Sequence, residues 1–187
     1  MTLQDDLPDE ARDVLDFWFS TLTPEQWWCR DDVVDKEVTA RFAGLYARLA
    51  TEVSRRWLSS PLGRLAAVIA LDQFPRNMFR DDPRAYDTDE MALQIARDTI
   101  AAGDNQRLTR EQRSFLYMPF QHSEDRAVQA ESVALFKALG DANQTDFAEK
   151  HKEIVDRFGR FPHRNDVLDR ETTPEEKEFL KQPGLFW

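Results

Sequence analysis

Apolar positions along this chain recur at helical spacing almost from the start. Ala11, Val14, Leu15, Trp18 and Phe19 fall at i, i+3, i+4, i+7 and i+8, one stripe of a helix. Val34, Val38, Phe42, Leu45 and Leu49 mark a second, longer one. Ser60-Pro61 is a start signal, a hydroxyl N-cap followed by proline in the first turn, and the run from Leu62 to Phe74 follows until Pro75 ends it. Thr88 caps a helix that stops at Gly103. Thr109 with Gln112 forms a capping box for a short helix ending near Pro119, and Ser123 caps the next, which ends at Gly140. Phe147, Ala148, His151, Ile154, Val155 and Phe158 form another stripe, closed by Gly159. Thr173-Pro174-Glu175-Glu176 opens a last short helix.

This pattern predicts an all-α protein of eight or nine helices packed as antiparallel hairpins, in one domain over residues 1–187. No segment alternates apolar and polar residues long enough to argue for a strand. Apolar residues make up 41% of the chain, including 13 Phe and 5 Trp, which is ample for a core of this size. The net charge of −10 argues against nucleic acid or an anionic membrane surface as a partner. One cysteine, Cys29, allows no intrachain disulfide and points to a reducing compartment. The start, Met1 to Pro8, is acidic and does not read as a secretory signal. The longest apolar run, Leu65 to Leu71, is far too short for a membrane span, so the expected location is cytoplasmic.

The candidate chemistry lies at helix ends. Asp72 shares a face with Leu65 and Ile69, so it points inward, and a buried carboxylate needs a partner. Arg76, four residues on, is the nearest in sequence. Asp72 reads either as half of a clamp that fixes the turn or as a catalytic or ligand-contacting group. His122 sits between two helices and is a general acid or base, a metal ligand or a turn residue. Glu124 follows it, and its plain reading is favourable charge in a helix's first turn. His151 lies on an apolar stripe, as a satisfied core histidine would.

His163 is flanked by Arg160 and Arg164, and with Arg157 these make three arginines in eight positions. Guanidinium pairs with phosphate or carboxylate in a bidentate way, so the fan suits an anion unless the chain's own carboxylates, Asp156, Asp166 and Asp169, neutralise it. No metal-binding helix motif, phosphate-binding glycine loop or nucleophile elbow is present, and neither a metal nor a cofactor is expected. Phe74-Pro75-Arg76-Asn77 is echoed by Phe161-Pro162-His163-Arg164-Asn165, which reads as two similar helix stops.

Three segments are more specific together than singly: Leu71-Asp72-Gln73-Phe74-Pro75-Arg76-Asn77-Met78-Phe79-Arg80, Pro119-Phe120-Gln121-His122-Ser123-Glu124-Asp125, and Arg157-Phe158-Gly159-Arg160-Phe161-Pro162-His163-Arg164-Asn165. With Val14 to Phe19 and Thr173 to Glu176, they make nearly the whole chain similar to one bacterial family, domain of unknown function 924. The resemblance implies an all-α fold like the tetratricopeptide superhelical class and no established activity. It also implies glycine where this chain has Asp81 and Asp169, which puts local turn geometry in question.

Two functions follow from the residues. In one, Asp72, His122, Glu124 and His163 supply acid–base groups, while Arg76, Asn77, Arg157, Arg160, Arg164 and Asn165 hold a small anionic ligand, as in a hydrolase or transferase. In the other, the helices form a scaffold that binds a peptide or protein partner without catalysis, and Leu185-Phe186-Trp187 either docks a partner or seals the core. The first requires the polar side chains to line one concavity. The second gains if each is satisfied locally.

Overall fold

A computed structural model describes residues 7–182. The Leu185-Phe186-Trp187 end lies outside the described residues, as does most of the acidic start. The described chain is helical, with no strand, which bears out the all-α expectation. It runs through α1 (Asp9–Asp16), α2 (Pro24–Trp28), α3 (Asp32–Leu49), α4 (Arg55–Leu58), α5 (Pro61–Val68), α6 (Phe74–Met78), α7 (Asp89–Ala101), α8 (Arg110–His122), α9 (Arg126–Leu139), α10 (Ala142–Phe158) and α11 (Pro174–Phe179). Short elements such as α2 and α4 take the number of helical segments above the expected eight or nine. Two compact units result, one of Met1–Arg80 with Arg84–Pro119, the other of Asp81–Pro83 with Phe120–Trp187.

In the first unit α3 packs on α6, and α5 packs on α1 and α7. Its core is aromatic: Phe42 stacks on Phe74 at 4.6 Å between centroids, and Phe17 meets Phe42 at 5.2 Å. Ser60 caps α5 as expected, its Oγ accepting from the Gly63 N–H at 3.1 Å. A Cβ on Gly63 would lie 2.2 Å from the Trp57 carbonyl, so only glycine lets α4 and α5 approach this closely.

Pro75 does not end the helix. Between α5 and α6 the chain widens into a π-helical turn, Ile69–Gln73, closed by the Phe74 N–H on the Ile69 carbonyl. Proline has no N–H for the ladder and its ring crowds the preceding turn, and the wider turn relieves both demands, so the axis continues through Pro75. Pro119 likewise sits inside α8 rather than at its end. A second π turn, Phe17–Thr21, extends α1.

In the second unit α9 and α10 pack side by side. Arg126 at the start of α9 donates to Asp156 O at 3.1 Å near the end of α10, so the two run antiparallel. The stops expected at Gly103, Gly140 and Gly159 are all left-handed, with φ of 73°, 77° and 70°. Ser123 is not the cap of α9. Asp125 is, with Oδ1 accepting from Ala127 N at 2.7 Å and Val128 N at 3.0 Å, so Glu124 lies before the helix rather than in its first turn. The two Phe-Pro segments also differ: the first continues a helix, and the second forms a 3-10 turn, Pro162–Arg164.

Candidate functional site

In the second unit the polar motif residues close helix ends. The last carbonyls of a helix have no partner within it. At the end of α8, Gln129 supplies one: fully buried on α9, its Nε2 donates to Gln121 O at 2.8 Å and Ser123 O at 2.6 Å. Arg164, also buried, donates from Nη2 to His122 O at 3.0 Å and lays its guanidinium 4.6 Å from the centre of the Phe161 ring.

Glu124 ties the segment before α9 to the one after α10. Its Oε1 accepts from the Phe161 N–H at 2.7 Å, and both of its oxygens accept from Arg170 at 2.7 and 3.1 Å. Burial acts to raise its pKa, but hydrogen bonds from Arg170 and Phe161 and the charges of Arg164 and Arg170 outweigh that and hold it below the ordinary value. Glu124 is therefore a fixed anion, suited to accepting hydrogen bonds and unsuited to donating a proton.

The arginine fan is matched inside the unit. Arg160 forms a fork on Glu176, Nε to Oε1 at 2.7 Å and Nη2 to Oε2 at 2.9 Å, and also donates to Glu171 O at 2.7 Å. Hydrogen bonding from Arg160 holds the buried Glu176 down to about 2. Glu176 also completes the expected capping box with Thr173, accepting from its N–H at 2.8 Å. Arg157 donates to Glu175 Oε1 at 2.8 Å. The neutralising carboxylates are thus Glu175 and Glu176 from α11, and not the Asp156, Asp166 and Asp169 that stand closer in sequence. Asn165 is fully buried, with Nδ2 3.3 Å from Glu176 Oε2. Its Oδ1, and Nε of Arg170, are buried atoms without a hydrogen bond among the described residues.

The three histidines gather here too. His151 is buried, its Nδ1 lies 2.8 Å from Phe147 O, and its ring meets Phe161 edge-on at 5.5 Å. His163, exposed, lies 5.6 Å from the same Phe161 ring. Burial pushes His151 down to about 3, with the charges of His122, His163 and Arg164 adding to it. His151 is a neutral core histidine.

Asp72, Arg76 and Asn77 belong to the first unit. Asp72 is fully buried, and its Oδ2 accepts from Gln73 Nε2 at 2.6 Å. Arg76 donates to the Asp72 carbonyl at 2.6 Å, lies 3.4 Å from Asp72 Oδ1, and forks onto Asp89 at 2.7 and 2.8 Å. The Asp72–Arg76 pair read from the sequence is present, and Asp89 is the member it lacked. Asn77 donates to Asp35 Oδ1 at 2.8 Å, and Arg80 also bonds Asp35. Beside them, Asp35, Lys36, Thr39, Ala40, Asn77 and Met78 line a shallow depression of about 380 Å³. Among the ten candidate residues, Asn77 alone lines it. Arg170, Asp89 and Gln129, and the pairing of Glu176 with Arg160, are what sequence reasoning missed. Each meets its partner across chain distances that leave no local signature.

Among the described residues no helix is long and apolar enough to cross a membrane, and no group of three or more His, Cys, Asp or Glu side chains is placed to hold a metal. No curated protein matches the sequence. A solved structure, that of a protein of unknown function from Agrobacterium tumefaciens, is similar with a TM-score of 0.87 at 40% identity, over 91% of this chain and 96% of that one. Residues 14–184 match the model described as "Bacterial protein of unknown function (DUF924)". With motif segments, helical fold and solved relative in agreement, the chain belongs to that bacterial DUF924 family.

Proposed function

We propose that this protein is a helical scaffold that binds a protein or peptide partner without catalysis, and that its polar motif holds the ends of its helices in place. The observation that carries this reading is the engagement of the charged candidates. Arg76 is held by Asp72 and Asp89, Arg157 by Glu175, Arg160 by Glu176, Arg164 by a helix-end carbonyl, and Glu124 by Arg170 and a backbone N–H. A site for an outside anion keeps its guanidinium forks open, and a general acid keeps its proton. The net charge of −10 favours a protein partner in the cytoplasm over nucleic acid.

A second reading, a small anionic ligand handled by acid–base chemistry, is favoured by one observation. His122, His163 and Arg164 all act on His151, and Asn165 Oδ1 and Arg170 Nε nearby in the same unit have hydrogen-bonding capacity left. A thermal-shift series at constant ionic strength separates the two. Phosphate, sulfate and citrate are compared with chloride, on the wild type and on Arg160→Lys and Arg164→Lys. The scaffold reading expects one common response to all salts. A rise specific to phosphate or citrate, weakened by either lysine variant, would replace it with the ligand reading.

A further inference from the structure

Large apolar side chains are covered almost throughout the described residues, except Trp28 at 47% exposure and Val33 at 71%. They flank a turn that is braced from both sides. Gln26 and Thr23 form a capping box at the start of α2, and Gln26 Nε2 also donates to Asp31 Oδ2 at 3.2 Å. Asp31 in turn caps α3, its Oδ1 accepting from Val33 N at 2.8 Å and Val34 N at 3.3 Å.

Trp28 is backed by an aromatic base. One face of its indole stacks on Phe115 at 5.4 Å and 12°. Phe115 is itself packed by Trp18, Phe19 and Trp27, and the Trp27 indole N–H is anchored on Trp18 O at 2.7 Å. Trp28 is therefore held in position by this stack while 47% of its surface stays exposed, which spares a partner the entropy of ordering it.

The charged residues flanking Trp28 in the chain are mostly acidic. Glu25 and Asp31 both have pKa values held below the ordinary range by hydrogen bonds, Glu25 mainly by its own backbone and Asp31 mainly by Gln26, so both are anions at neutral pH. Asp32 is exposed, and the single cation of the turn, Arg30, lies against it at 3.5 Å. An exposed indole attracts cations, and negative neighbours add to that attraction.

We infer that the Trp28–Val33 turn is a docking surface for a basic peptide segment, one that places a Lys or Arg against the exposed indole of Trp28 and an apolar side chain against Val33. This rests on the scaffold reading, but its test is independent of the anion series. A short amphipathic peptide with Leu on one face and Arg on the other, and its Leu/Glu counterpart, are titrated calorimetrically into the full chain and into Trp28→Ala, Trp28→Phe and Val33→Asp. The Leu/Arg peptide is expected to bind, to lose about tenfold or more in affinity with Trp28→Ala, and to keep most of it with Trp28→Phe. Equal binding to the wild type and Trp28→Ala would reduce the effect to general attraction by an acidic protein and overturn the inference. Equal binding of the Leu/Glu peptide would overturn it too. Sedimentation of the free protein supplies the remaining arm: a dimer abolished by both Trp28→Ala and Val33→Asp would make a second copy the occupant in place of a basic partner.

Discussion

The Glu124 carboxylate accepts the backbone N–H of Phe161 at 2.7 Å, thirty-seven residues away in the chain. One side chain thereby fixes the segment between α8 and α9 to the segment that follows α10. Arg170 completes the arrangement by bonding both Glu124 oxygens and, at 3.1 Å, the Phe161 carbonyl. Glu124→Gln keeps the shape, removes the charge and places an amide where Arg170 requires an acceptor. We expect a loss of about 1.5–3 kcal/mol, the range for a hydrogen bond to a charged group. A denaturant melt at neutral pH checks this, and a variant as stable as the wild type would show that the pairing is decorative.

A different balance holds at Asp72. The sequence alone suggests a closed pair, for which loss of one partner costs roughly 3–5 kcal/mol. The structure adds Asp89, which takes the Arg76 fork at 2.7 and 2.8 Å, while Asp72 Oδ1 stands at 3.4 Å. Asp72→Asn therefore leaves Arg76 compensated, and we expect a cost of only about 1–3 kcal/mol. Arg76→Met strips the cation from two carboxylates, one of them fully buried, and falls in the range of roughly 3–5 kcal/mol. The order of the two losses in chemical melts is the check. A larger loss for Asp72→Asn would mean that Asp89 does not share the load.

These two sites mark what the sequence carried and what it did not. Helix starts were legible where one turn holds the whole device: Ser60 with Gly63, Thr109 with Gln112, and Thr173 with Glu176 each form the expected cap. Helix stops at proline were misread, because whether Pro75 breaks a helix depends on the backbone before it, and a π turn has no composition of its own. Pairing over a distance was not legible. Arg170 is 46 residues from Glu124, and the fan of Arg157 and Arg160 is neutralised from α11 rather than by its sequence neighbours.

The two departures from the expected glycines are both left-handed: Asp81 has φ of 59° and Asp169 of 51°. A side chain in that region crowds the following carbonyl, at a cost of roughly 1–2 kcal/mol, less for Asp, which tolerates it better than most. Asp169 is exposed, in the turn where its N–H lies 3.4 Å from Asp166 O. Asp169→Gly removes the strain but also gives the unfolded chain more freedom, so the net gain is small, about 0.5 kcal/mol. The expected result is a slightly raised melting temperature, whereas Asp169→Ala lowers it. Stabilisation by alanine would contradict the left-handed geometry.

His151 makes stability depend on pH in a window of its own. Burial lowers its pKa from 6.5 to about 3, with the charges of His122, His163 and Arg164 adding to that. The folded state therefore resists a proton that the unfolded chain accepts. Its contribution is complete above 6.5 and is lost as pH falls from 6.5 toward 3, because over that range the unfolded state binds more protons. The slope approaches about 1.4 kcal/mol per pH unit, so acidifying from about 6.5 to 4.5 removes roughly 2–3 kcal/mol. Glu124, whose folded pKa is also depressed, contributes in the same direction but only once pH falls through the ordinary carboxylate range and below. The two windows separate at about pH 5, where histidines titrate in the unfolded chain and carboxylates largely do not. His151→Asn isolates the first, because the asparagine Nδ2 stands where Nδ1 bonds Phe147 O and carries no titrating proton. Denaturant midpoints from pH 7.5 to 5 are expected to fall steeply for the wild type and much less for His151→Asn. Parallel curves would mean that His151 is not the neutral core group that its burial requires.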